Sequence, residues 1–205
     1  MYEYCIIVFL FTYLFRDAIA LMSLAENSSI TMLKELPTSF ACSTITSINA
    51  GTFLVSTYDN TRPIRTIDIH GKVNFIKHKC LPDKTYKMDK CACTYIPATK
   101  TLVLTDSEQH TVYLCDMTSQ DGLEIRNNKI RSPRRACVGP YDTVYLCSQT
   151  KDSIVQLSER GDVLTSINVG MRYPYAVSFS RDGTRLVVAN CAAGPKMIKL
   201  FQVAL

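Results

Sequence analysis

The strongest constraint on this sequence is an internal repeat of about 42 residues. Short apolar runs end at Asp106, Ser148 and Asn190, and these three positions are 42 residues apart in both steps. Each copy has the order strand, turn, strand, polar loop, strand, turn and strand. Short strands rich in Val, Ile, Thr and Tyr, repeated at a period of about 40 to 45 residues, are typical of β-propeller blades. A helical solenoid of this period would show apolar residues at i, i+3 and i+4, and no such stretch occurs after residue 36.

The repeat predicts an all-β propeller of about four blades over residues 36–205, with a four-stranded antiparallel sheet in each blade. The predicted blades span residues 36–79, 90–130, 131–171 and 172–205. The first copy is the loosest, because the connection over residues 77–90 is longer than the later connections. Four blades can close a ring, but larger rings are more common, so an incomplete ring with exposed strand edges is the alternative, and self-association through those edges is the partner that it would imply.

Residues 1–35 precede the repeat and begin with an apolar run over residues 5–15, in which Thr12 is the one polar side chain. Arg16 and Asp17 then interrupt the run. A membrane-spanning helix needs about 20 apolar residues, whereas this shorter length is typical of a signal-peptide core. The residues before the run include no Lys or Arg, which a signal peptide normally carries. Two interpretations stay open: a signal or anchor over residues 5–25, or a segment that is buried in the fold or stems from a truncated start.

The nine cysteines favour a reducing compartment. Their number is odd, and most of them lie inside apolar runs, whereas a disulfide framework prefers even numbers and loops. We therefore predict free, buried thiols and a cytoplasmic protein. A secreted or membrane-anchored protein is the alternative if residues 5–25 act as a signal or an anchor.

Three segments resemble NHL repeats. The first segment combines Pro133–Val138 with residues 143–147, 152–157 and 160–161. The second combines residues 173–177, 182–190 and 199–201. The third combines residues 104–107 and 111–114. Residues 36–205 as a whole resemble the C-terminal NHL/YVTN-type propeller of tripartite-motif (TRIM) NHL proteins, especially the expanded invertebrate set.

This resemblance implies a role in holding a protein client. In that family an N-terminal RING domain recruits the ubiquitin-conjugating enzyme, and the propeller binds the substrate. A RING needs repeated C-x₂-C spacing for zinc, and this sequence contains none. The resemblance therefore implies a non-catalytic interaction module, with ligase activity only in sequence outside this chain. A secreted propeller domain is a further alternative.

Metal and catalytic sites have little support in the sequence. His78, Cys80, Cys91 and Cys93 lie on or beside the long connection, but Cys91 and Cys93 are separated by one residue, where zinc sites usually have two. We predict no metal and no cofactor. We also predict no catalytic residues, because Asp106 and similar strand-end carboxylates are more typical of turn caps than of acid–base pairs.

The net charge of +5 allows an anionic partner. In a propeller, the inter-blade connections and the loops between second and third strands lie on one face, where this chain carries many Lys and Arg. We predict that this face binds a protein substrate or adaptor, with RNA as the alternative. The predicted partner-binding residues are Lys84, Lys87, Lys90, Arg134, Arg135, Lys151, Arg172 and Tyr173.

Overall fold

The structure of the 205-residue chain is a computed structural model. It describes residues 5–9, 18–24, 29–58, 60–191 and 194–203. Within these ranges the chain forms eighteen β-strands in five antiparallel sheets, together with two single-turn 3₁₀ helices. In this described part, no helix has the length and apolar character needed to cross a bilayer.

Each sheet is built from strands that follow one another in the chain. The N-terminal sheet contains β1 (Cys5–Phe9), β2 (Ala18–Leu24) and β3 (Ile30–Pro37). Blade 1 contains β4 (Cys42–Asn49), β5 (Thr52–Thr57), β6 (Ile64–Asp68) and β7 (Val73–Phe75). Blade 2 contains β8 (Cys91–Ile96), β9 (Thr101–Asp106), β10 (Thr111–Asp116) and β11 (Gly122–Arg126). Blade 3 contains β12 (Pro133–Val138), β13 (Val144–Ser148), β14 (Ser153–Leu157) and β15 (Val163–Asn168). Blade 4 contains β16 (Pro174–Phe179), β17 (Arg185–Asn190) and β18 (Ile198–Gln202).

The all-β propeller that the repeat predicts is confirmed. Blades 1 to 3 have four strands each, and the described part of blade 4 has three. The N-terminal sheet is an addition, because its strands lie before the repeat and the sequence pattern did not predict them.

Neighbouring sheets pack face to face through four apolar cores. Blade 2 illustrates the arrangement, because its strands are buried on both faces. Leu102 and Leu104 of β9 belong to the core shared with blade 1, whereas Val103 between them belongs to the core shared with blade 3. This alternation follows from the two-residue period of a strand. Burial of each such side chain contributes about 1.5 to 3 kcal/mol, so the cores hold the sheets together.

One backbone hydrogen bond recurs in all four blades. The first residue after the second strand donates its N–H to the carbonyl of the residue just before the inner strand. The donor–acceptor pairs are Tyr58–Ala41, Ser107–Lys90, Gln149–Ser132 and Cys191–Tyr173, at 3.2, 3.0, 3.4 and 3.1 Å. These bonds bring the inter-blade connections and the second-to-third-strand loops together on one face, which we call the connection face.

The N-terminal sheet packs against blade 1. Ile19, Leu21 and Leu36 are buried in one core with Phe53 of β5. Residues 10–17 and the side chains of residues 5–9 lie outside the described part, so most of the predicted signal-like run does too.

A disulfide joins Cys80 to Cys115, so the prediction of free thiols is wrong for this pair. The two residues are 35 positions apart, on the long connection and on β10, and the fold brings them together. The prediction of buried thiols is confirmed for most of the other described cysteines. Six of them are thiols, and Cys191 is the exposed one among these.

A candidate binding cleft at the propeller axis

The inner strands β4, β8, β12 and β16 pack side by side in that order. Their first residues follow the inter-blade connections, so these strand ends meet at the connection face. There they surround a small cleft of about 210 Å³, part of which is open to solvent. The polar lining includes Ser43, Thr44, Asp89, Lys90, Arg134, Arg135 and Tyr175. Because this space includes open solvent, the cleft is a shallow depression in the connection face, and its polar groups can be reached from outside.

Three inner strands carry a β-bulge at the cleft. Ser43 in β4 and Tyr175 in β16 have no opposing residue on the neighbouring strand. Each lies between the first and the second pair of opposing residues of its strand. In β12, Arg134 and Arg135 together oppose Cys147. A bulge bends its strand and re-aims side chains, and bulges are common beside functional sites. The bulge explains how two consecutive arginines both line the cleft, whereas a regular strand would point them to opposite faces.

Tyr175 lies close to both arginines. The Cζ atoms of Arg134 and Arg135 lie 5.7 and 5.6 Å from its ring centroid, within the range of cation–π interactions. The Tyr175 hydroxyl donates to Oδ1 of Asp89 at 2.8 Å. Two hydrogen bonds fix the orientation of the Arg134 guanidinium. Its Nε donates to Oε1 of Gln149 at 2.8 Å, and its Nη1 donates to the Asp89 carbonyl.

The cleft carries an excess of positive charge. Arg135 donates from Nη2 to the Ser43 carbonyl at 3.4 Å, and neither Arg134 nor Arg135 forms an ion pair with a described residue. Asp89 is the one carboxylate among the lining residues that the structure describes. Burial, together with the hydrogen bond to Asp89, raises the pKa of the Tyr175 hydroxyl. This hydroxyl therefore stays protonated and acts as a donor at neutral pH.

Two thiols of β8 lie beside the cleft. The Sγ of Cys93 is 3.4 Å from Oγ1 of Thr44, and Cys91 lines the cleft itself. Burial raises the pKa of Cys93 to about 11 and also raises the pKa of Cys91. Both thiols are thus protonated at neutral pH, and the protonated form is a poor nucleophile.

The structure brings three of the predicted partner-binding residues to the cleft, namely Lys90, Arg134 and Arg135. Lys84 is engaged within the molecule, because its Nζ lies 2.7 Å from Oδ2 of the buried Asp106.

The remaining predicted residues lie on the connection face but outside the cleft lining. Lys87 and Lys151 are exposed on it. Arg172 lies over the ring of Tyr173, with Cζ 5.5 Å from the ring centroid. The backbone N–H of Tyr173 donates to Oδ1 of Asp152 at 2.8 Å.

The strand-end residue Asp106 caps a turn, as predicted. Its Oδ1 accepts the backbone N–H groups of Glu108 and Gln109 at 3.0 and 2.9 Å. At the equivalent position of blade 3, Oγ of Ser148 accepts the N–H of Arg131 at 2.8 Å. The two positions are equivalent in the repeat, but Ser148 binds the inter-blade connection that precedes its blade, whereas Asp106 caps the turn that follows its strand.

The described histidines lie away from the cleft lining. Nδ1 of His110 accepts the N–H of Ser132 at 3.0 Å. His78 and Cys80 lie beside Cys115, not beside Cys91 and Cys93. The four residues considered from the sequence as metal ligands, His78, Cys80, Cys91 and Cys93, therefore do not form one cluster.

The sequence did not indicate Asp89 and Tyr175 as cleft residues, nor Gln149 as the residue that holds Arg134. One signal was available for Tyr175, which follows Pro174 just as Arg134 follows Pro133, 41 residues earlier. Aligning the repeat copies at these prolines would have placed the tyrosine beside the arginines. Asp89 carried no such signal, because it lies on the lengthened connection and its partner Tyr175 is 86 residues away.

Comparisons with known proteins support the fold. No protein-family model matches the sequence, and a search of curated proteins found no match. Among solved structures, virginiamycin B lyase from Staphylococcus aureus aligns with a TM-score of 0.58 at 16% identity, over 92% of this chain and 66% of that one. A catalytically inactive variant of that lyase with quinupristin aligns with a TM-score of 0.58 at 14% identity, over 99% of this chain and 75% of that one. Hydrazine synthase from Kuenenia stuttgartiensis aligns with a TM-score of 0.62 at 18% identity, over 80% of this chain and 47% of that one.

The chain thus spans about half to three quarters of the length of these structures. At such low identity the similarity shows the fold alone. The fold is a β-propeller of the type found in virginiamycin B lyase and NHL-repeat proteins.

Proposed function

We propose that this chain is a non-catalytic interaction module whose axial cleft binds an acidic side chain of a protein partner. The observation that carries the proposal is the pair of half-buried arginines, Arg134 and Arg135, which flank Tyr175 with no ion-pair partner among the described residues.

Arginine suits this role because its planar guanidinium matches a carboxylate in a two-point hydrogen bond. The cleft is partly open to solvent, so a partner's side chain can approach the two arginines from outside. The molecule's own Asp89 already places a carboxylate against the Tyr175 hydroxyl. A partner's Asp or Glu would enter the same chemical environment.

A protein partner is better supported than RNA. Affinity for single-stranded RNA depends on aromatic faces that are open for base stacking, and the Tyr175 ring already lies close to two guanidinium groups. Lys84, a predicted phosphate contact, is neutralised by Asp106. Tyr173, with Arg172 beside it, is the remaining stacking site among the predicted residues.

A binding role without catalysis is supported by the protonated thiols of Cys91 and Cys93 and by the position of the described histidines outside the cleft lining. It also agrees with the client-holding role that the resemblance to TRIM-NHL propellers implies.

A phage-displayed library of linear peptides tests the proposal. The library is panned in parallel against the full chain and against an Arg134→Gln/Arg135→Gln variant. We expect the wild type to enrich peptides containing Asp or Glu, and the double variant to lose this enrichment. A Lys151→Gln/Arg172→Gln variant is the matched control, because it removes the same charge from the connection face outside the cleft.

Enrichment that is equal for the wild type and the Arg134/Arg135 variant would contradict the proposal. An RNA arm uses a fluorescein-labelled oligouridylate over a series of salt concentrations. Salt-sensitive RNA binding without peptide enrichment would favour the RNA alternative.

A further inference from the structure

We propose that the reduced form of this chain binds a zinc ion through Cys80, Cys115 and His78. The site lies on blade 2, away from the axial cleft, and does not depend on the proposed function. The two Sγ atoms and a ring nitrogen of His78 lie within 4.8 Å of one another. His78 and Cys115 are buried, and Cys80 is half-buried.

The hydrogen bonds of His78 prepare one ring nitrogen for a metal. Nε2 lies 2.8 Å from the backbone carbonyl of Asp116, and because a carbonyl only accepts, Nε2 carries the proton. Nδ1 is therefore unprotonated and accepts the backbone N–H of Cys80 at 3.2 Å. Histidines that bind metals typically donate their other N–H to a carbonyl or carboxylate, which fixes the ring. The one lone pair of Nδ1 thus points toward Cys80, and zinc would take the place of the Cys80 N–H at this lone pair.

Gly122 of β11 makes room for this cluster. A Cβ at this position would lie 2.3 Å from Cβ of Cys80 and 2.6 Å from its Sγ. Gly122 is not among the glycines with positive φ, so the close approach of Cys80 accounts for a glycine here. The long connection can therefore pack directly against β11 and its neighbour β10, which carries Cys115.

Two thiolates and one imidazole are a donor set that zinc prefers, with a fourth position left for water. The disulfide seen here must first be reduced. A phosphine reductant supplies the two electrons: the disulfide becomes two thiols, and the phosphine becomes a phosphine oxide with oxygen from water. Zinc then displaces one proton from each thiol as two Zn–S bonds form.

The test uses the full chain, reduced with tris(2-carboxyethyl)phosphine, freed of reductant and titrated with zinc against a chromophoric chelator. We expect one zinc per chain in the reduced wild type and none in the oxidised protein. Cys115→Ser should weaken zinc binding by at least about tenfold, because even outer-shell changes cost about 10- to 100-fold. The matched control, Cys191→Ser, removes the exposed thiol and should bind zinc like the wild type.

A second measurement uses the wild type alone, so that the test also works if Cys115→Ser does not fold. Zinc should slow the alkylation of both Cys80 and Cys115 in the reduced wild type, as followed by peptide mass spectrometry. The proposal is overturned if the reduced wild type takes up no zinc, if Cys115→Ser binds it as well as the wild type does, or if zinc protects neither cysteine.

Discussion

Individual side chains decide the charge of the axial cleft. Arg134 and Arg135 face it together because a bulge gives them one opposing residue, Cys147. Asp89 supplies the opposing charge and accepts a hydrogen bond from Tyr175. Replacement of this carboxylate should therefore change the affinity for an acidic partner without removing any group that binds it.

We expect Asp89→Asn to tighten the binding of an acidic peptide selected by the cleft by about fivefold. Removal of one like charge at a few ångströms in a partly hydrated site is worth about 1 kcal/mol, and Asn can still accept from Tyr175. Isothermal titration calorimetry measures the change. Asp83→Asn, an exposed carboxylate on the same connection, should have little effect, and weaker binding by Asp89→Asn would contradict the account.

At this scale the sequence predicts only part of the site. Lys90, Arg134 and Arg135 could be predicted because they are basic and lie in or beside predicted inter-blade connections. The joint orientation of the arginines could not, because a regular two-residue period would separate them. Asp89 could not be predicted either, since its partner Tyr175 is 86 residues away.

Among the elements, the long connection over residues 77–90 is the most distinctive. Contacts along its whole length anchor it to the blades. Cys80 is bonded to β10, the Tyr86 and Lys84 side chains contact Asp106, and Asp89 contacts β12 and β16. Tyr86 is fully buried, and its hydroxyl donates to Oδ2 of Asp106 at 3.1 Å. Burial, with Asp106 adding to it, raises the pKa of Tyr86.

Asp106→Ala should lower the free energy of unfolding by about 3 kcal/mol, because it removes a buried ion-pair partner and a turn cap together. Asp116→Ala, at a turn cap that follows β10 and forms no ion pair among the described residues, should cost clearly less. Urea unfolding of both variants checks the difference. Equal losses would show that the contacts of Asp106 with the connection contribute nothing.

The sequence indicates that this connection is unusual, because it lengthens one repeat copy. Its anchors are not readable from the sequence, since Asp106 and Cys115 lie on strands 20 and 35 residues from their partners Tyr86 and Cys80. Only the packing of blade 2 brings these residues together.

For the whole molecule, the stack of sheets leaves apolar surface at both ends. In blade 4, Ile198 and Leu200 are 77% and 62% exposed, and in β3, Ile30 and Met32 are each 56% exposed. The same kind of face is buried between successive blades elsewhere in the stack. Exposed apolar faces of this kind favour association with another surface.

We therefore expect concentration-dependent self-association, which an Ile198→Lys/Leu200→Lys variant should reduce. Sedimentation velocity over a range of protein concentrations measures it. Leu164→Lys, at a residue of β15 that is 52% exposed, is the control and should associate like the wild type. A wild type that stays monomeric at every concentration would refute this expectation.

Stability of the whole molecule should fall as the pH rises from about 9 to 11. Burial raises the pKa of Cys93 to about 11 and that of Cys137 to about 12, whereas thiols in an unfolded chain ionise near pH 8.5. The unfolded state then binds fewer protons than the folded state, so the free energy of unfolding decreases with pH. Urea midpoints across this range provide the measurement, and Cys137→Ala should flatten the decline. A constant midpoint would contradict the assignment.

The propeller is predictable from the sequence because each blade repeats the same local requirements. Asp106, Ser148 and Asn190 end equivalent strands, and the two-residue alternation of β9 buries both of its faces. The strands of the N-terminal sheet are not predictable in this way, because they lie before the repeat. Their role follows from packing, as Ile19 and Leu36 complete the core of blade 1.

Binding of a carboxylate by Arg134 and Arg135 can be observed at the two side chains themselves, by nuclear magnetic resonance of the arginine Nε–H groups. Arginine-labelled protein is titrated with an acetylated, amidated triglutamate peptide and, separately, with its triglutamine counterpart. We expect the Arg134 and Arg135 signals to shift with the glutamate peptide only, while the signal of the exposed Arg172 shifts little. Equal shifts with both peptides, or larger shifts at Arg172 than in the cleft, would contradict this expectation.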